Sequence, residues 1–145
     1  MSKFVTIKIL VSPLGTVTTR YGAIDGTHSH LHKGIDFACS DGTEIHSPVN
    51  GVVSKITHDN GLHEGLGNAV MIKTGDGFRL IFGHLSALKT NVGDIIEKGD
   101  VIGLCGCSGR SFGTHLHLSI RDKLGHYIDP ELWFNFKHTV SDTLM

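Results

Sequence analysis

Three short stretches of this chain carry residues whose types and spacing could do chemistry. In Gly113-Thr114-His115-Leu116-His117-Leu118-Ser119-Ile120, two histidines stand two apart in a run that continues as alternating apolar residues. Side chains at i and i+2 of an extended strand share a face, so His115 and His117 project together. Two imidazoles side by side on a stiff strand suit a metal site with an adjacent proton carrier. In His32-Lys33-Gly34-Ile35-Asp36, an extended backbone likewise puts positions 32, 34 and 36 on one face, and Gly34 leaves room for a metal. Zinc accepts imidazole nitrogen at about 2.0–2.1 Å and carboxylate oxygen at about 2.0–2.2 Å, and a catalytic site uses three protein ligands plus water. His32, Asp36 and one histidine of the His-x-His strand would complete such a set. Asp36 lies between Ile35 and Phe37, and a carboxylate in apolar surroundings needs a cation or a hydrogen-bond partner. In Phe82-Gly83-His84-Leu85-Ser86, a histidine closes the apolar strand of residues 78–82. Beside a glycine at a strand end, it would face a rim or cleft.

The elements that must hold these residues read as strands. Val, Ile and Thr recur at period two over residues 4–11, 16–21, 34–38, 44–47, 51–57, 69–73, 78–82, 95–97, 101–105 and 115–121, with Asp-Gly or Gly-Asp in the gaps. Residues 130–134 are the best helix candidate, with Asp129 as N-cap before Pro130. Residues 42–53 echo residues 93–103: each gives a short strand, a tight turn at Pro48 or Lys98, and a second strand from Gly51 or Gly99. Hairpin-like repeats of this kind imply an all-β fold, a small, strongly twisted antiparallel sheet or sandwich, rather than α/β. Loops over residues 22–33 and 59–67 would wall a narrow groove.

At 145 residues the chain is sized for one domain, with a core over about residues 20–134 and a frayed tail over residues 137–145. A formal net charge of −1 argues against a nucleic-acid partner. No segment reaches the roughly 20 apolar residues of a membrane span. The N-terminus lacks the apolar block and cleavage site of a signal peptide, so the expectation is synthesis in the cytoplasm. Cys39, Cys105 and Cys107 form no C-x-x-C pair and are odd in number, so reduced, buried thiols are expected. Histidines 46, 58, 63, 126 and 138 read as solvated.

His32-x-x-x-Asp36, Gly83-His84-Leu85-Ser86, Val92-Gly-Asp-x-Ile-x-Lys-Gly-Asp-x-Ile-Gly103 and Gly-Thr-His115-Leu-His117, in that order, resemble the lysostaphin/LytM-type zinc metallopeptidases, the M23 peptidase family. The resemblance runs from about Arg20 to Trp133. It implies a LytM-type fold, a duplicated hybrid motif, with one Zn2+ per chain held by His32, Asp36 and His117. It also implies that His84 and His115 stay off the metal, as general base and transition-state stabilisers. The ion would lower the pKa of its water towards about 7 for attack on an amide carbonyl, with one imidazole taking the proton and the other stabilising the oxyanion. Asn68, in Gly67-Asn68-Ala69, matches a recurring Gly-Asn of the family and stands as a substrate-side or architectural residue. Arg110, in the loop before His115, could orient a substrate carboxylate. His28 or His30 is the alternative ligand. Thr114 stands where the family often has Pro, Leu118 where Phe is common and Phe82 where Tyr is frequent; none of these removes a ligand.

The function implied is hydrolysis of a peptide bond in bacterial peptidoglycan, in the cross-bridge or stem peptide. A phage lysis or virion-associated enzyme, held in a phage particle or reaching the wall by phage-type or non-classical release, fits the expected lack of a signal peptide. Two rivals carry different chemistry. A phosphocarrier of the glucose-type IIA class would need two facing histidines and no metal-binding Asp. A metal-free family member acting as a regulator or structural module would have lost ligands.

Overall fold

The computed structural model describes residues 34–58, 66–108 and 114–130 and the backbone of Val17–Thr19. Every element lying wholly among them is a strand: β1 (Val17–Thr19), β2 (Ile35–Ala38), β3 (Glu44–His46), β4 (Gly51–Thr57), β5 (Asn68–Lys73), β6 (Arg79–Leu88), β7 (Ile95–Ile96), β8 (Val101–Cys105), β9 (His115–Arg121) and β10 (Tyr127–Ile128). All pairings are antiparallel, in the order β1-β2-β9-β6-β5-β4-β7, with β10 on β9 and β3-β8 branching from β6. Residues 4–11, the loops expected to wall a groove (22–33 and most of 59–67) and all but the first residue of the 130–134 helix lie outside the described residues.

Alternation decides what each strand buries. On β9, Leu116, Leu118 and Ile120 are fully buried while His115 and His117 are half-buried on the other face. On β2, Ile35 and Phe37 enter the same core and Asp36 takes the opposite side. Val70, Ile72, Leu80, Phe82, Leu85 and Ile102 complete this core. Each fully buried aliphatic side chain contributes about 1.5–3 kcal/mol by leaving water. A smaller cluster of Leu66, Ala69 and Ile81 packs apart from it.

The two echoing segments are not separate hairpins. The first strand of each pairs with the second strand of the other: β3 with β8 and β4 with β7. At the crossing, Ser47 N–H donates to the Asp100 carbonyl and Gly99 N–H donates to the Ser47 carbonyl, 2.8 Å each, and Lys98 N–H donates to Asn50 Oδ1 at 2.7 Å. Gly93 and Gly99 have φ of 94° and 99°, which L side chains rarely adopt. His46, expected in solvent, braces this crossing, its Nδ1 2.8 Å from the Gly99 carbonyl.

Cys39 and Cys105 are joined in a disulfide, with Cα atoms 6.4 Å apart, so the expectation of reduced thiols fails; Cys107 alone is free and exposed. Sequence spacing could not show this, because the ends of β2 and β8 meet only once the sheet forks. The bridge closes a loop across a separation of 66 residues, which in the chain-entropy picture stabilises the fold by about 4 kcal/mol. A reductant should therefore lower the urea midpoint of the protein and of Cys107→Ser alike, and leave Cys39→Ser unchanged.

Candidate active site

The site lies on the solvent-side face of the three adjacent strands β2, β9 and β6. Register places Asp36 opposite His117 and Ala38 opposite His115, while Gly83 of β6 faces His117 from the other side. His117 Nδ1 stands 2.8 Å from Asp36 Oδ1, and His115 Nε2 stands 3.8 Å from Asp36 Oδ2. The spacing of two thus brings both imidazoles of β9 to one carboxylate. Gly34 leaves room for the His117 ring. A Cβ there would lie 2.5 Å from the Leu118 carbonyl oxygen and 2.8 Å from His117 Nε2. Gly34→Ala should displace the ring and destabilise the protein by about 1–3 kcal/mol, seen as a lower melting temperature together with weaker zinc binding.

His84 does not end its strand; it sits inside the ten-residue β6 at a bulge. Asn68 pairs with Leu85 and Val70 with Phe82, so Gly83 and His84 together oppose the single residue Ala69. His84 has φ of 63°, the single positive value on a non-glycine among the described residues, and its amide leaves the ladder to donate to the Leu66 carbonyl at 2.8 Å. Here the sheet forks: β6 pairs with β9 through Gly83 and with β8 from Leu85 onward. The bulge turns His84 into that fork, with ring centroids 4.7 Å from His115 and 6.0 Å from His117. A glycine beside a histidine in an apolar run is the sequence signal for such a kink.

His84 is nearly buried, at 6% exposure, and its Nδ1 donates to the Ser108 carbonyl at 2.7 Å. Burial pushes its pKa from 6.5 down to about 4, helped by repulsion from His115 and His117 and opposed by the Ser108 carbonyl and Asp36. The ring is neutral at pH 7, so it can accept a proton. Between pH 6.5 and 4 the unfolded chain binds a proton here that the folded chain refuses, so this contribution to metal-free stability is full above pH 6.5 and disappears towards pH 4. The loss is about 3 kcal/mol over that window. Urea titrations of the metal-free protein should show the decline, and His84→Asn should flatten it.

Asn68 lies at the start of β5, its side-chain amide donating to the Leu85 carbonyl at 3.1 Å, an architectural bond. His32, Arg110, His28 and His30 lie outside the described residues, and the described residues alone do not complete a three-donor metal set. Ser108 was not visible as a site residue, since it reaches His84 through its backbone.

The family model for peptidase family M23 matches residues 30–130. The chain is 41% identical over 91 residues to the DD-carboxypeptidase/endopeptidase Mpg of Neisseria meningitidis serogroup B, covering 63% of this chain and 20% of that protein. It is 35% identical over 89 residues to the peptidoglycan DD-endopeptidase ShyA of Vibrio cholerae, covering 61% of this chain and 20% of that protein. The matched region thus spans about a fifth of the length of these curated relatives. Among solved structures, a mutant catalytic domain of the prophage-encoded M23 protein EnpA from Enterococcus faecalis superposes with a TM-score of 0.71 at 31% identity, covering 80% of this chain and 88% of that one. With the sequence match running through all three strands of the site and the same fold recovered over most of both chains, the chain belongs to peptidase family M23.

Proposed function

We propose that this protein is a zinc-dependent endopeptidase that cleaves peptide bonds of bacterial peptidoglycan. The observation that carries the reading is the Asp36–His117 pair at 2.8 Å, flanked by His115 and by a buried His84. A carboxylate and an imidazole nitrogen converging on one point are the donor set zinc prefers, and Asp36 and His117 fit it, with His32 as the third ligand. When bound, zinc supplies Lewis acidity towards water and an amide carbonyl. His84, held neutral with a proton on Nδ1, offers Nε2 as the proton acceptor. His115 lies beside both His84 and Asp36 and is placed to donate to developing charge on the substrate oxygen or the leaving amine.

The peptidoglycan substrate draws support from ShyA, named as a peptidoglycan DD-endopeptidase, and a phage setting from EnpA, described as prophage-encoded. The Cys39–Cys105 disulfide supports action outside a reducing cytoplasm. The facing His84–His115 pair alone would suit a phosphocarrier, but the Asp36 carboxylate beside it repels a phosphoryl group. Digestion of purified cell walls, followed by mass spectrometry of the fragments, should reveal new amino termini at one peptide bond, with glycan strands intact. Release of glycan fragments alone would contradict the assignment.

A further inference from the structure

We infer that the Ser108 hydroxyl is a positioning group that fixes the tautomer and orientation of His84. This rests on the reading of His84 as a proton acceptor. The Ser108 carbonyl can only accept, so at 2.7 Å it requires the proton on His84 Nδ1 and leaves the lone pair on Nε2. A carbonyl can enforce this only if it is itself held. Its own side chain does so: the hydroxyl donates to the Leu85 carbonyl at 2.6 Å and accepts from the Asn68 N–H at 3.0 Å. One hydroxyl therefore rivets the segment after β8 to the first residue of β5 and to the residue just past the bulge. The bond to Leu85 bears directly on His84, its neighbour in the chain.

The same segment holds the second imidazole. His115 N–H donates to the Gly106 carbonyl at 3.1 Å, and Ser86 Oγ donates to the Cys105 carbonyl at 2.9 Å. Gly106 must be glycine, since a Cβ would come within 2.5 Å of Ser86 N. Residues 105–108 thus form a strap touching both histidines expected to move protons, anchored behind by the disulfide at Cys105. Removing the Ser108 hydroxyl leaves the strap in place but lets its last carbonyl drift, so the neutral ring can take either tautomer.

Ser108→Ala should lower kcat by about 10–100-fold with KM and zinc content unchanged, and Ser108→Thr should restore most of the loss. Imidazole 15N shifts should show a single Nδ1-protonated tautomer of His84 in the wild-type chain and a mixture in Ser108→Ala. Wild-type kcat in Ser108→Ala, or an unchanged single tautomer there, would overturn the inference. If Ser108→Ala fails to fold, the wild-type spectrum still decides, because an Nε2-protonated His84 excludes the arrangement. His84→Asn, assayed alongside, separates the two readings: undiminished turnover there removes His84 from the chemistry, while the tautomer spectra still test its hold by Ser108.

Discussion

Asp36→Asn should abolish zinc binding and lower hydrolysis by at least about 1,000-fold, while the fold survives. The substitution keeps the shape of the side chain and removes only its charge. Asp36 lies within 2.8 Å of His117 and 3.8 Å of His115, so its carboxylate is the anionic centre of the cluster. An amide oxygen is a far poorer ligand for zinc, and losing several kcal/mol of electrostatic stabilisation corresponds to three or more powers of ten in rate. The core behind it, built from Ile35 and Phe37, is untouched, so the melting temperature of the metal-free variant should move by no more than a few degrees. His117→Ala should behave the same way towards zinc. His115→Ala should keep most of the zinc and lose turnover.

His84 offers the second large effect, and with it a separation of stability from function. A non-glycine residue in the left-handed region is strained by about 1–2 kcal/mol, which glycine does not feel. His84→Ala and His84→Gly should both bind zinc and both be inactive, since neither carries an imidazole. They should differ in stability, with the glycine variant about 1 kcal/mol above the alanine variant despite the usual cost of glycine in a strand. Thermal melts compare them directly; alanine above glycine by the usual cost of glycine in a strand, about 0.5–1 kcal/mol, would show that the bulge stores no strain. The strain has a clear use, since an ordinary extended residue at position 84 would follow the alternation of β6 and turn its ring away from His115 and His117.

The pattern of the sheet was legible wherever one face met the core. The strands over residues 51–57, 101–105 and 115–121 appear with the bounds their alternation implies. What alternation does not encode is how strands exchange partners. The echoing segments interlock, and the 78–82 strand runs on through a bulge to Leu88, because pairing with β8 replaces pairing with β9. A two-residue strand such as β10 carries no periodicity to read. His115, His117 and Asp36 come together on one face, as their spacing implies, because each depends on a local alternation that the strands preserve. Ser108 and the Cys39–Cys105 bridge depend on contacts between distant segments, and no local signal announces them.

The most direct test of the account is a zinc titration of the chelator-stripped chain, with peptide-bond cleavage in purified cell walls measured at each step. Hydrolysis should be absent without metal, rise in proportion to added zinc, level off at one zinc per chain and disappear again with chelator. Cleavage that persists after complete removal of zinc, or a chain that binds one zinc and cuts no peptide bond, would contradict it.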